Sequence, residues 1–171
     1  MKKTKTIVFL GLLIALNVVL TEVAKLLPFA NIVRISLAFI PIAAGAIMYG
    51  VVPAGVDAAL ADIISFFMFP SDGGYFPGFT VSAFIAGVIF ALILYKRQPS
   101  ILRALFAAVL VIFVVDVSLN TIWLYILMPG STLWALFLPR LIKSLLMIPF
   151  ETFTIFALWP VLERLRIKSV T

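Results

Sequence analysis

The chain has 171 residues, 64% of them apolar and only 12% charged, with a mean hydropathy of +1.26 and a formal net charge of +6. It has no Cys and no His, which excludes disulfide frameworks, thiol nucleophiles, thiolate or imidazole metal sites and His-dependent triads. Soluble chains sit nearer half apolar, so lipid must be the solvent for much of this one.

Six apolar runs follow in chain order. The first spans Ile7 to Leu27 and is closed by Pro28; the second runs from Ile35 to Tyr49 and the third from Pro53 to Phe69. The fourth covers Phe79 to Tyr95, the fifth Leu102 to Met128 and the sixth Leu133 to Leu162. A helix crossing the hydrocarbon needs about 20 residues. Runs two and three are short and joined only by Gly50-Val51-Val52; they read as two thin spans, with a re-entrant pair as the alternative. The runs are continuous rather than alternating, which argues against a β-barrel. The expected fold is an all-α integral membrane protein of six transmembrane helices, one domain over residues 1–171 without a low-complexity linker. Run one has the basic start of a signal peptide but continues into Asn17 and Glu22 without a small-residue cleavage pattern, so it is expected to be retained.

Lys and Arg flanks stay on the cytoplasmic side of a membrane. Lys2, Lys3 and Lys5 precede run one, Lys96, Arg97 and Arg103 separate runs four and five, and Arg164, Arg166 and Lys168 follow run six. Six spans bring all three clusters to one side and predict both termini in the cytoplasm, leaving Lys25 and Arg34 outside. Trp and Tyr favour the two interfaces: Tyr49, Tyr95 and Trp159 fall at the inner ends, Tyr75, Trp123, Tyr125 and Trp134 at the outer ends. This bias accounts for the basic balance, and no nucleic-acid partner is expected, because the charges are not gathered with aromatics on one surface.

Ionisable groups at lipid depth cost several kcal/mol unless paired or facing water, which makes each a functional candidate. They are Asp57 and Asp62 in run three, Asp116 in run five, and Arg140, Lys143 and Glu151 in run six. Asp116, Asn120 and Trp123 share one helix face, as do Arg140, Lys143, Met147 and Glu151. Two polar stripes with an aromatic between them suggest an interhelical pocket; mutual pairing that only glues the bundle is the other reading. The outer connection from Phe69 to Gly78 is bracketed by Pro70 and Pro77 and carries Tyr75 and Phe76; it reads equally as a lid or as an ordinary tight turn. Arg34 stands on the charge-poor side, where it meets lipid phosphate or holds a carboxylate. Gly11 and Ala15 form a small-xxx-small pair that lets another helix approach. No Walker phosphate loop is present, and no loop offers a hydrolytic constellation, so neither an enzyme nor a cofactor is expected.

Four segments carry a family resemblance: Val33–Ile42 (VRISLAFIPI), Gly55–Asp62 (GVDAALAD), Tyr75–Ser82 (YFPGFTVS), and Pro139–Lys143 (PRLIK) with Pro149–Glu151 (PFE) beyond it. They resemble loop one and helix two, helix three, loop three with the start of helix four, and helix six of the substrate-binding S components of energy-coupling factor (ECF) vitamin transporters, most of all their folate-specific branch. The resemblance implies a six-helix S component of a bacterial cytoplasmic membrane, part of an ATP-binding-cassette importer, which captures a vitamin from outside and works with a membrane coupling protein, EcfT, and two ATPases. The family's Ala-x-x-x-Ala docking motif corresponds here to Gly11 and Ala15. The missing ATPase motif is then expected.

A folate ligand gives the polar residues roles. Its flat pterin suits stacking on Trp123, Phe79 or Tyr75, and Asn120 or Asp116 could read the ring's amide edge. Its two tail carboxylates call for Arg34, Arg140 or Lys143. Ser36 completes the expected set from loop one. The alternatives are an S component for thiamine, riboflavin or pantothenate, a stand-alone proton-coupled secondary transporter using Asp57, Asp62 or Glu151, and a purely structural membrane subunit. Transporters of the proton-coupled kind often show internal repeats, and none is evident between residues 1–85 and 86–171.

Overall fold

The computed structural model describes residues 2–26, 37–70, 74–128, 130 and 132–170, with the side chains of 2, 3, 25, 26 and 167–170 left aside. Every regular element among them is helical: α1 (Lys2–Leu26), α2 (Phe39–Tyr49), α3 (Val51–Met68), α4 (Pro77–Leu94), α5 (Ile101–Leu127) and α6 (Leu133–Val170). Five of the six are long and apolar enough to cross a membrane. The second is not: its 11 residues rise only about 16 Å, against a hydrocarbon core of about 30 Å. It is instead the most enclosed helix, buried from Pro41 through Met48.

Contacts between the helices fix their directions. Phe9 near the start of α1 packs on Tyr49 at the end of α2, with ring centroids 5.9 Å apart. Farther along α1, the Asn17 amide reaches the Ala38 carbonyl at 3.5 Å and the Ser65 hydroxyl of α3 donates to Glu22 at 3.5 Å. The chain reverses between α2 and α3 at a single residue, Gly50, whose φ of +86° suits a residue without a side chain. Tyr95, ending α4, lies against that corner, and Arg166 of α6 donates to the Ile47 carbonyl at 3.4 Å. The starts of α1, α3 and α5 and the ends of α2, α4 and α6 therefore share one end of the bundle, called here the Gly50 end. The opposite end holds Gly78.

Lipid offers no hydrophobic drive between helices, so association depends on close packing of small residues. α3 and α4 show this most clearly: a methyl group on Gly87 would meet the Ala54 carbonyl oxygen at 2.5 Å. Ala46, Ala54, Ala58, Ala61, Ala104 and Ala107 are all fully enclosed around this contact, while Leu, Val, Ile and Phe side chains face outward on every long helix.

Candidate functional site

The Gly78 half of the bundle contains a partly open cavity of about 200 Å³ walled by five of the helices or their caps. From α2 and its N-cap come Ala38, Phe39 and Ile42, from α3 Asp62, from α4 Phe79, Ser82 and Phe90, from α5 Val111, Val115, Asp116 and Asn120, and from α6 Glu151. Flat aromatic faces thus alternate with three carboxyl groups and one amide. Glu151 is 3% exposed, and its Oε2, like the Oδ1 of Asn120, has no hydrogen-bond partner among the described residues. Buried acceptors in that condition are costly, and both belong to the cavity wall.

Local structure explains how α5 supplies this wall. Residues Ile112–Leu119 form a π-helix, in which the Asn120 main-chain N–H donates back five residues to the Val115 carbonyl. In a regular helix Val111 and Asn120, nine positions apart, would point about 180° from each other. The extra residue taken up by a π turn offsets the two faces by about 100°, so both reach the same cavity. Ser118 Oγ supports the wide turn by donating to the Phe113 carbonyl at 2.8 Å. At lipid depth such a departure from regular helix is tolerated only where neighbours satisfy the backbone. Here Arg140 Nη1 donates to the Asp116 main-chain carbonyl at 3.1 Å.

Of the residues expected from sequence, Phe79, Asp116 and Asn120 line the cavity, and the Asn120 amide donates to Asp116 Oδ1 at 3.2 Å. Four others stand behind the wall. Trp123 Nε1 donates to Ser82 Oγ at 3.0 Å. The Tyr75 hydroxyl pairs with Thr80 Oγ1 at 2.9 Å, and Thr80 donates to Asp62 at 2.7 Å. Arg140 holds the Asp116 backbone, and Lys143 lies within electrostatic range of both Asp116 and Glu151. Arg34 and Ser36 lie outside the described residues. Trp123 also meets Phe76 with centroids 5.7 Å apart, over Gly78, where a methyl group would strike both rings.

Sequence reasoning placed Asp62 and Glu151 among the costly polar groups without assigning them to the wall, and missed Ser82, Phe39 and Phe90 altogether. Gly11 and Ala15 are exposed on α1, on the face turned from the bundle, and nothing approaches within 4 Å of where a Gly11 side chain would start.

A lipid-facing helical bundle around a small cavity of aromatics and acceptors is the build of a membrane-embedded binding protein for a small polar ligand. The model of the family "ECF transporter, substrate-specific component" matches residues 5–159, and the chain belongs to that family. It is a substrate-binding part of a transporter and not an enzyme. The chain is 36% identical over 169 residues to the folate transporter FolT of Clostridium novyi (strain NT), covering 99% of this chain and 96% of that protein. It is 33% identical over 153 residues to the folate transporter FolT of Leuconostoc mesenteroides, covering 86% and 80%. A crystal structure of FolT bound with folic acid superposes with a TM-score of 0.81 at 34% identity, covering 92% of this chain and 93% of that one.

Proposed function

We propose that this chain captures folate from the extracellular side of a bacterial cytoplasmic membrane and delivers it inward with an EcfT-type coupling protein and two ECF ATPases. One observation carries the ligand assignment: the cavity wall sets, between flat Phe faces, acceptor oxygens of Glu151 and Asn120 that have no partner among the described residues. A pterin edge, with its 2-amino group and ring N–H, supplies the donors such a wall lacks, and its faces suit the aromatics. The cavity of about 200 Å³ is smaller than the roughly 300–1,000 Å³ of pockets that enclose a whole drug-sized ligand. It therefore takes the ring, and the glutamate tail lies toward the Gly78 end; Lys143 and, by the sequence reading alone, Arg34 are the cations suited to its carboxylates. Two relatives named folate transporters, matched over 99% and 86% of this chain, support the same ligand.

Orientation follows from charge. Lys5, Lys96, Arg97, Arg103, Arg164 and Arg166 all gather at the Gly50 end, which supports a cytoplasmic side for that end and both termini and, with it, a cavity that faces outward. The whole chain acts as one membrane domain.

Equilibrium titration of the purified protein against a vitamin panel tests the ligand: folate binds tightly, and binding of riboflavin or thiamine without folate rejects the assignment. The exposed Gly11 and Ala15 face is the surface proposed for the coupling protein. Gly11→Leu and Ala15→Leu leave folate affinity intact and abolish uptake in cells that express the partners. Uptake that survives both substitutions places the docking surface elsewhere.

A further inference from the structure

We propose that Arg140 is a positioning residue: by holding the Asp116 main-chain carbonyl it fixes the π turn of α5, and so sets where Asp116 and Asn120 meet the ligand's ring. The inference rests on the folate reading above and gives Arg140 a task other than gripping the tail.

Three observations carry it. A π stretch that returns to regular helix passes over one carbonyl as the ladder changes step. The Asn120 main-chain N–H donates to the Val115 carbonyl, so the carbonyl at that change of step is that of Asp116, where Arg140 donates at 3.1 Å. Secondly, Arg140 comes from α6, 24 positions away in sequence, so the bond fixes the wide turn to a second helix rather than only to itself. Thirdly, Arg140 is not part of the cavity wall, whereas both side chains that the π turn aims are. Unlacing the turn into regular helix would swing Asn120 by about 100° away from Val111 and Val115 and carry the amide that donates to Asp116 Oδ1 away from the wall it shares with those valines.

The test compares folate with pteroate, which has the same ring and lacks the glutamate, and with a 2,4-diamino analogue altered only at the ring edge. Arg140→Gln is expected to weaken folate and pteroate by the same factor, about tenfold or more, and to change the ratio of folate to 2,4-diamino affinity. Arg140→Lys keeps a cation and a donor for the carbonyl and retains most of the affinity; a two-pronged grip on a carboxylate would not survive that exchange. Combined with Asp116→Asn, the Arg140→Gln loss is smaller than the sum of the two single losses. If Arg140→Gln does not fold, the same ligand comparison is read on Arg140→Lys. A loss for folate with pteroate untouched makes Arg140 a tail ligand and overturns the inference. So do unchanged affinities, or an equal loss on every ligand that adds fully to Asp116→Asn, which marks a merely structural bond. Wild-type protein that binds neither folate nor pteroate fails the folate reading itself and takes the inference with it.

Discussion

The two halves of the bundle are built on opposite rules. Around the Gly50 end, small residues let backbones touch: Ala54 and Gly87 bring α3 and α4 together, and Ala46, Ile47, Leu94, Ala104 and Trp159 are sealed from any solvent. Arg166 ties α6 to the Ile47 carbonyl, pairs with Glu163 at 3.2 Å and lies over the Tyr95 ring. Asp57 and the Trp159 indole nitrogen are the polar exceptions there. Around the cavity, by contrast, Asp62, Asp116, Asn120 and Glu151 share one small space. Dense packing is the main source of helix cohesion in lipid; the first half supplies it, and this lets the second hold groups that cost stability and serve binding.

The sharpest way to break this contrast is to fill the tight half. Gly87→Leu drives a side chain into the Ala54 backbone, which cannot give way as a flexible side chain would. Overpacking typically costs about 1–3 kcal/mol, and more where backbone is the obstacle. The variant should lose most of its folded yield in detergent, read by thermal unfolding, and its ligand binding with it. A variant that melts like the wild type would show that the approach of α3 to α4 does not hold this half together.

The matching substitution in the cavity should act with the opposite sign on stability. Glu151→Leu removes a buried carboxyl whose Oε2 has no partner among the described residues, a condition worth about 1–3 kcal/mol. The ligand-free protein is expected to melt at a higher temperature while folate affinity falls about tenfold or more. If the variant instead melts lower and still binds folate, Glu151 is glue between helices, as the pairing interpretation of the polar stripes requires.

These polar stripes were legible because helical spacing alone aligns them. Arg140, Lys143, Met147 and Glu151 do share a side of α6, with burial deepening from the half-buried Arg140 to the enclosed Glu151. The spans were legible too, since long apolar runs leave few alternatives at lipid depth. Two features were not. Apolar periodicity cannot reveal one additional residue in a turn when the run from Val109 to Val117 is apolar on nearly every face, so the π segment stayed hidden. Nor can a helix face reveal which of its residues form the wall and which stand behind it. That depends on how closely four or five helices approach, and it separates Asp116 from Arg140, and Ser82 from Trp123, in ways that spacing does not record. Hydroxyls such as Ser82 and Thr80 give no signal at all in an apolar run, although each links an aromatic at the Gly78 end to the cavity.

The Trp123 link allows the finest measurement on the cavity side. Trp123 has an apolar body packed on Phe76 and a single donor spent on Ser82 Oγ at 3.0 Å. Trp123→Phe keeps much of the ring contact and removes the donor, leaving the buried Ser82 hydroxyl, which is 2% exposed, to find another partner. A hydrogen bond of this kind contributes about 1 kcal/mol, equivalent to about fivefold in an equilibrium constant. The bond is present without ligand, so its loss should lower the melting temperature of the ligand-free protein by a few degrees, and because Ser82 lines the cavity it should appear in folate affinity as well. Ser82→Ala in the same background should add almost nothing further, since both changes remove one bond. Additive losses in the pair would mean that Trp123 and Ser82 meet the ligand separately, and the wall would then have to be redrawn to include the indole.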